Sequence, residues 1–137
     1  MRIHLTACVF VLYFAARLPL SRGELACLLL AIGMVMSAEL FNTAVEKLCD
    51  FNQKNRNRYI RVIKDMAAGA VLLAAVAALL VGLVILFRPE LWQLLWGIVT
   101  NPLRLGLFCL ALAAAAGFVF LGPAWVGESL DRLRRGK

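Results

Sequence analysis

Four polar side chains on one predicted membrane helix constrain the fold of this chain more than any other feature. At about 100° of turn per residue they share a stripe roughly 80° wide; they are Glu39, Asn42, Glu46 and Asp50. A charged group at the bilayer centre costs at least a few kcal/mol, so this acidic stripe cannot face lipid. We therefore expect its members to meet partners, a metal ion or water inside a helix bundle.

The composition indicates an integral membrane protein. Of 137 residues, 63% are hydrophobic and only 17% are charged, which is far from the balance of a soluble domain. Four apolar segments predict an all-α, polytopic membrane helix bundle; they cover about residues 3–16, 24–49, 61–87 and 103–121. The net charge of +7 is better explained by unequal loops than by nucleic acid, and we expect no nucleic-acid partner.

The first apolar segment is short for a bilayer, which requires about 20 apolar residues. A cleavable signal peptide is the competing interpretation. No small-x-small cleavage site follows, however, and the next apolar segment begins almost at once. We predict a retained first helix. Ser21 and Glu24 then have the spacing of a capping box, which predicts the start of the second helix.

Other patterns concern packing. Trp92 and Trp96 predict either a helix at the membrane surface or one packed on the bundle. Small residues at every fourth position of the third helix suggest a helix-packing seam; they are Ala70, Ala74, Ala78 and Gly82. The cysteines lack metal or disulfide spacing, and we expect buried thiols; they are Cys8, Cys27, Cys49 and Cys109.

Basic residues predict the orientation. If the N-terminus is cytoplasmic, most of them fall on that side, in residues 47–64 and in the tail after residue 123. The positive-inside rule therefore predicts that the outer end of the acidic stripe lies at the cytoplasmic face, where ATP is present.

The residues around the only clearly polar connection, 51–60, favour phosphoryl transfer. That chemistry needs carboxylates for Mg²⁺, cations for the phosphates and a base for the attacking hydroxyl. Residues of all three kinds occur within 27 positions, namely the acidic stripe with Lys64 and Asp65. No P-loop or glycine-rich nucleotide motif occurs. The alternative is that ion pairs such as Glu39 or Glu46 with Lys64 merely fix helix register.

Two segments also carry a family resemblance. Residues 38–50 read AELFNTAVEKLCD, and residues 64–73 read KDMAAGAVLL. Both motifs and their spacing resemble the prokaryotic diacylglycerol kinase and undecaprenol kinase family, over residues 2–87. The resemblance implies a three-helix membrane enzyme that forms homotrimers with active sites shared between subunits. It makes 1–87 the lipid-kinase-like domain and leaves 88–137 as an added segment with a fourth membrane helix and a basic tail.

The resemblance also implies residue roles. Glu39 would be the catalytic base, and Glu46 would bind Mg²⁺ carried by ATP. The remaining positions would support the site (Asn42, Asp50), contact the nucleotide (Glu46, Lys64, Asp65, Asn55, Asn57) and contact the lipid (Glu39, Arg2, Ala68). At Asn55 and Asn57 relatives carry an acidic residue and a histidine. Relatives also have an amphipathic helix, with an arginine and a second metal-binding glutamate, before the Arg2-Ile3-His4 start. We expect that segment upstream of Met1. On its own, His4 is interpreted as an interfacial helix residue.

The expected function is ATP-dependent phosphorylation of a lipid hydroxyl, on diacylglycerol or undecaprenol, at the cytoplasmic side of a bacterial inner membrane. Two alternatives remain. A small four-helix proton-coupled exporter would also be short and basic with an intramembrane glutamate, but this function gives no reason for Lys64-Asp65 or Asn42. A non-catalytic membrane subunit, or a decayed kinase copy, is the other.

Overall fold

The computed structural model describes residues 2–52 and 58–120. They form five helices: α1 (Arg2–Arg17), α2 (Arg22–Asn52), α3 (Arg58–Leu86), α4 (Pro89–Val99) and α5 (Pro102–Phe120). No strand occurs within these ranges. Helices α2 and α3 each extend beyond the apolar segments that predicted them, since their polar ends remain helical.

Three of these helices are long and apolar enough to cross a membrane, namely α2, α3 and α5. The predicted all-α, polytopic membrane bundle is confirmed at this level. Helix α1 has 16 residues, or about 24 Å at 1.5 Å per residue, which is less than the roughly 30 Å hydrocarbon core. That α1 crosses the bilayer therefore stays a prediction.

The start of α2 is fixed by the capping box. Ser21 N donates to Glu24 Oε2 at 2.7 Å, and Glu24 N donates to Ser21 Oγ at 3.2 Å. These reciprocal bonds satisfy two backbone N–H groups, those of Ser21 and Glu24, which would otherwise lack an acceptor at the helix terminus. Glu24 also accepts a hydrogen bond from Arg88 Nη2, just beyond the end of α3.

Helices α1, α2 and α3 form one compact unit, residues 3–91. The start of α2 meets the end of α3 through Glu24 and Arg88, and the end of α2 meets the start of α3 through Asp50 and Lys64. These two helices are therefore antiparallel. Helix α1 packs on the same pair, because Ala15 shares a buried cluster with Leu28 of α2 and Ile85 of α3.

The second unit begins at Trp92. Trp92 and Trp96 are 57% and 71% exposed, and both interpretations of α4 stay predictions. Helix α5 has no buried residue within the described part of the chain. The proposed domain boundary at residue 87 stays a prediction.

Two packing predictions need correction. The small residues of α3 do not all lie in a tight seam: a Cβ added at Gly82 would meet nothing within 4 Å among the described residues. Ala70 and Ala74 instead line an open groove between α2 and α3 of ≈ 970 Å³. Of the cysteines, all of them free, only Cys49 is buried, whereas Cys27 and Cys109 are exposed. An exposed thiol is tolerated there because it is small and apolar enough for a lipid-facing surface.

Candidate functional site

Glu39 is the one buried polar or charged residue in the described part of the chain, at 7% exposed. It lies in the middle of α2, seven positions or about 10 Å along the axis from Glu46. Burial of a carboxylate is costly unless hydrogen bonds or ions compensate. Glu39 is therefore expected to have a hydrogen-bond or ionic partner.

One partner is His4 of α1. Its Nδ1 makes a short hydrogen bond with Glu39 Oε1, across 35 positions of sequence. The imidazole is itself partly sheltered, with a side chain 31% exposed, and the Glu39 side chain is 10% exposed. The interpretation of His4 as an interfacial helix residue does not include this contact. The sequence signal for this contact is a polar residue in the apolar helix α1 together with an intramembrane acid in α2.

Neighbouring polar groups of α2 are directed elsewhere. Thr43 Oγ1 donates to the Glu39 backbone carbonyl at 2.9 Å, a bond that satisfies a hydroxyl within its own helix. Asn42 Nδ2 donates to Glu46 Oε1, also at 2.9 Å. Glu39 is thus joined to α1, whereas Glu46 is joined to a side chain of its own helix.

Asn42 places one further polar atom in this region. Its Oδ1 is buried and has no hydrogen-bond partner within the described ranges, although the side chain borders the open groove between α2 and α3. A buried amide oxygen without a partner is unfavourable by about 1–3 kcal/mol. The amide therefore holds Glu46 with one atom and leaves an acceptor available with the other.

The outer end of the stripe is joined to α3 by an ion pair. Lys64 Nζ donates to Asp50 Oδ1 at 2.6 Å, with side chains 35% and 64% exposed. The alternative prediction paired Lys64 with Glu39 or Glu46; no such salt bridge occurs in the described part, and Asp50 takes this place. Because the pair is open to solvent, a phosphate group can approach the ammonium.

The other predicted site residues are described by their position and exposure. Asp65 and Ala68 are exposed on the first turns of α3, and Arg2 begins α1 and is half-buried. Asn55 and Asn57 lie outside the described residues, so their predicted nucleotide contacts stay predictions. The structure thus brings together Asn42 with Glu46 and Asp50 with Lys64, and adds His4 to Glu39.

The carboxylates of the acidic stripe are the candidate ligands for Mg²⁺. Within residues 2–52 and 58–120, no three His, Cys, Asp or Glu side chains are grouped to hold a metal ion. Mg²⁺ usually keeps several waters and binds one or two protein carboxylates together with substrate phosphates. Glu46 fits that role, because its carboxylate is exposed and one of its oxygens is held by Asn42.

An apolar cavity adjoins the inner carboxylate. It has a volume of ≈ 370 Å³ and is bounded by α1, α2 and α3, with His4 as a polar member of a wall otherwise formed by apolar side chains such as Val11, Leu28 and Leu83. Its volume lies in the range of small-molecule sites, about 300–1,000 Å³. His4 therefore stands between an apolar space and the Glu39 carboxylate.

Comparison with known proteins gives consistent matches. The family model described as prokaryotic diacylglycerol kinase matches residues 1–86. A diacylglycerol kinase from Synechocystis sp. is 42% identical over 91 residues, covering 66% of this chain and 52% of that protein. An undecaprenol kinase from Bacillus subtilis is 37% identical over 90 residues, covering 66% of this chain and 72% of that protein.

The chain therefore spans about half the length of the Synechocystis relative that it matches. No solved structure matches it. The family match contains the acidic stripe, Lys64 and Asp65, and also His4. On the residues matched, the chain belongs to the prokaryotic diacylglycerol kinase family, as the motifs at residues 38–50 and 64–73 predicted.

Proposed function

We propose that this chain is a lipid kinase that transfers the γ-phosphoryl group of ATP to the primary hydroxyl of a membrane lipid. Family membership supports a kinase and does not favour the exporter alternative. The observation that carries the proposal is Glu39: a carboxylate 7% exposed in the middle of a membrane-length helix. A membrane lipid hydroxyl can approach that depth, whereas a free nucleotide is restricted to the aqueous end.

Glu39 would act as the general base. Its carboxylate accepts the proton of the lipid hydroxyl while the hydroxyl oxygen attacks the γ-phosphorus of ATP. The bond from that phosphorus to the bridging β–γ oxygen breaks, and ADP leaves. A positioned base of this kind contributes roughly 10²- to 10⁴-fold to a rate. The sheltered position of Glu39 also limits competing proton transfer from bulk water.

The outer half of the stripe would hold the nucleotide. Glu46 would hold Mg²⁺, with Asn42 fixing the carboxylate through its 2.9 Å hydrogen bond. Mg²⁺ when bound neutralises charge on the β- and γ-phosphate oxygens. Lys64 would exchange part of its contact with Asp50 for a phosphate, and Asp65, on the first turns of the same helix, would contact the nucleotide. Asn55 and Asn57 are proposed as further nucleotide contacts.

The apolar body of the lipid would lie beside the base. The ≈ 370 Å³ cavity has an apolar wall and reaches His4, the hydrogen-bond partner of Glu39. Arg2 and Ala68 are proposed as further lipid contacts. Diacylglycerol and undecaprenol both present a primary hydroxyl on an apolar body, and the relatives carry both names; either acceptor is compatible with this site.

A shared site would explain the open groove. The ≈ 970 Å³ groove between α2 and α3 exposes Ala70, Ala74 and Asn42, and small residues allow close approach of another helix. We propose a homotrimer in the bacterial inner membrane with its active sites at the cytoplasmic face. Light scattering of the detergent-solubilised protein would test the trimer. Labelling of an introduced cysteine near Asp50 in inverted vesicles, but not in intact cells, would test the orientation.

The function is tested by lipid phosphorylation. Purified full-length chain in mixed micelles is incubated with labelled ATP, Mg²⁺ and either diacylglycerol or undecaprenol. Formation of a labelled lipid phosphate with at least one acceptor is expected. Absence of product with both lipids, in protein that is folded by circular dichroism, would contradict the proposal. Substrate transport by vesicles without ATP would instead support an exporter.

A further inference from the structure

We infer that the ≈ 370 Å³ apolar cavity between α1, α2 and α3 holds one hydrocarbon chain of the acceptor lipid. Gly82 keeps room for that chain to continue past the depth of Glu39. Because it rests on the proposed function, this inference deepens that function: it names the part of the lipid that the chain would recognise and a residue that limits the length accepted.

The cavity begins at about the depth of Glu39. Helices α2 and α3 are antiparallel and are joined at one end by the pair of Asp50 and Lys64. Glu39 lies eleven positions before Asp50, and eleven positions after Lys64 is Ala75, the first residue of α3 in the cavity wall. Glu39 and Ala75 are therefore nearly level. The wall then continues along α3 to Leu86, eleven positions or about 17 Å further.

The cavity and the nucleotide groups thus lie on opposite sides of Glu39. The outer half of the acidic stripe and Lys64 are on one side. On the other side the cavity wall is apolar apart from His4, which hydrogen-bonds to Glu39. A lipid with its hydroxyl at Glu39 would meet ATP on the polar side and extend its chain on the apolar side. The length of about 17 Å exceeds half of the roughly 30 Å hydrocarbon core, so the chain would pass into the other leaflet.

The volume suits a single chain. Spread along about 17 Å, the ≈ 370 Å³ correspond to a mean cross-section of roughly 20 Å². Carbon atoms in contact are about 3.5–4.0 Å apart, so a space of this section admits one extended hydrocarbon chain. The second chain of a two-chain lipid would remain outside, in the bilayer.

Gly82 lies on the path of that chain. At about 100° per residue it is near the centre of the face of α3 that forms the wall, between Leu79 and Leu86. A Cβ added there would meet nothing within 4 Å among the described residues. Gly82 is seven positions from Ala75, about 10 Å beyond the depth of Glu39. A larger side chain at this position would occupy space that a long acceptor chain needs and a short one does not.

Two single-chain primary alcohols test this limit. Geraniol, with two isoprene units, would end near the depth of Gly82, whereas geranylgeraniol, with four, would extend beyond it. We expect Gly82→Leu to lower kcat/KM for geranylgeraniol about tenfold, because the side chain and the lipid would overfill one space. The value for geraniol should stay within about twofold, and the KM for ATP should not change. Gly82→Ala, which adds one methyl group, should give a smaller loss in the same order.

Gly69→Leu is the matched control. Gly69 is also a glycine of α3 whose added Cβ would meet nothing within 4 Å among the described residues, but it is not part of the cavity wall. The ratio of kcat/KM between the two alcohols should equal that of the unsubstituted chain. Thermal unfolding by circular dichroism would be followed for each variant. If Gly82→Leu does not fold, Gly82→Ala and the labelling below decide.

Photolabelling tests occupancy without phosphoryl transfer. A geranylgeraniol analogue with a diazirine at the chain end would be irradiated with the unsubstituted full chain in mixed micelles. We expect label in residues 78–86 of α3, located by mass spectrometry of peptides. Excess unlabelled geranylgeraniol should remove most of that label.

The possible results separate this inference from the kinase proposal. Equal losses for both alcohols in Gly82→Leu would overturn the chain site and leave the kinase proposal intact. Label that excess alcohol does not reduce would do the same, because bulk lipid or detergent would then fill the cavity. Competed label in a chain that phosphorylates no lipid would support the chain site and contradict the kinase. Competed label together with a loss selective for geranylgeraniol would support both.

Discussion

The two ends of the acidic stripe differ in burial and in partners. At the inner end, Glu39 is buried and its carboxylate is bonded to His4 on another helix. At the outer end, Glu46 and Asp50 are exposed and are held by Asn42 and Lys64. Glu39 and Glu46 are chemically identical and lie seven positions apart. Environment rather than residue type would therefore assign one to proton transfer and the other to metal and nucleotide.

The largest expected effect is at the inner end. Glu39→Gln keeps the size of the side chain and removes its ability to accept a proton. We expect lipid phosphorylation to fall by at least about 10²-fold, with ATP binding retained because the nucleotide groups are at the other end. Product formation and nucleotide binding would be measured on the same preparation.

Glu24→Gln is the matched control for that substitution. Glu24 is also a hydrogen-bonded glutamate of α2, but it lies at the opposite end of the helix, beside Ser21 and Arg88. It should leave the rate unchanged. Full activity in Glu39→Gln would contradict the assignment of proton transfer to the inner end of the acidic stripe.

Glu46→Gln should give the next effect and a different kind of change. Loss of a ligand carboxylate is expected to raise the Mg²⁺ concentration needed for half-maximal rate by about 10- to 100-fold. Excess Mg²⁺ should restore much of the rate, which it should not do for Glu39→Gln. The measurement is activity against Mg²⁺ concentration. Glu90→Gln, on α4, serves as control, and an unchanged metal dependence in Glu46→Gln would argue against a ligand role.

Lys64→Met should act on the nucleotide alone. Loss of one charged donor to phosphate is expected to raise the KM for ATP about five- to tenfold, with the KM for lipid little changed. Both constants would be measured by varying each substrate. Because the Lys64–Asp50 pair is largely open to solvent, the melting temperature should change little. A large loss of stability with unchanged KM would show that the pair is structural.

The smallest effect is expected far from the stripe, at the other end of the α2–α3 pair. Arg88→Met removes a donor to Glu24 and to the Ile85 carbonyl, the latter at 2.8 Å. Thermal unfolding should begin a few degrees lower, with kcat and both KM values unchanged. Arg22→Met is the matched control and should lower the unfolding temperature less, since Arg22 is exposed at the helix start. A fall in kcat for Arg88→Met would show that catalysis also depends on the end of the α2–α3 pair that lies away from the acidic stripe.

Local features of this fold are predictable from the sequence. The start of α2 is one, because Ser21 and Glu24 are three positions apart and no third element is required for their bonds. The all-helical character is another, since it follows from long apolar segments. The boundaries of α2 and α3 are harder to predict. The polar residues 51–60 predicted a loop, but α2 continues to Asn52 and α3 begins at Arg58.

The partners of the stripe could not be predicted in the same way. The sequence indicated that Glu39 needs a partner, but spacing along the chain carries no information about a residue on another helix, so His4 was missed. Lys64 faced several acids at similar distance in sequence, and only the packing of α2 against α3 selects Asp50. Likewise, the four-residue spacing of small residues predicts a helix-facing surface without specifying whether that helix belongs to the same chain.

Salt bridges at both ends of the α2–α3 pair limit sliding of one helix along the other. A slide of one helical turn, about 5.4 Å, would separate Glu24 from Arg88 and Asp50 from Lys64 together. In a bilayer of different thickness, these helices should therefore tilt as a unit rather than shear past each other. The vertical offset between Glu39 and the Lys64 ammonium would then stay constant, and activity should depend less on lipid chain length than in a helix pair held at one end.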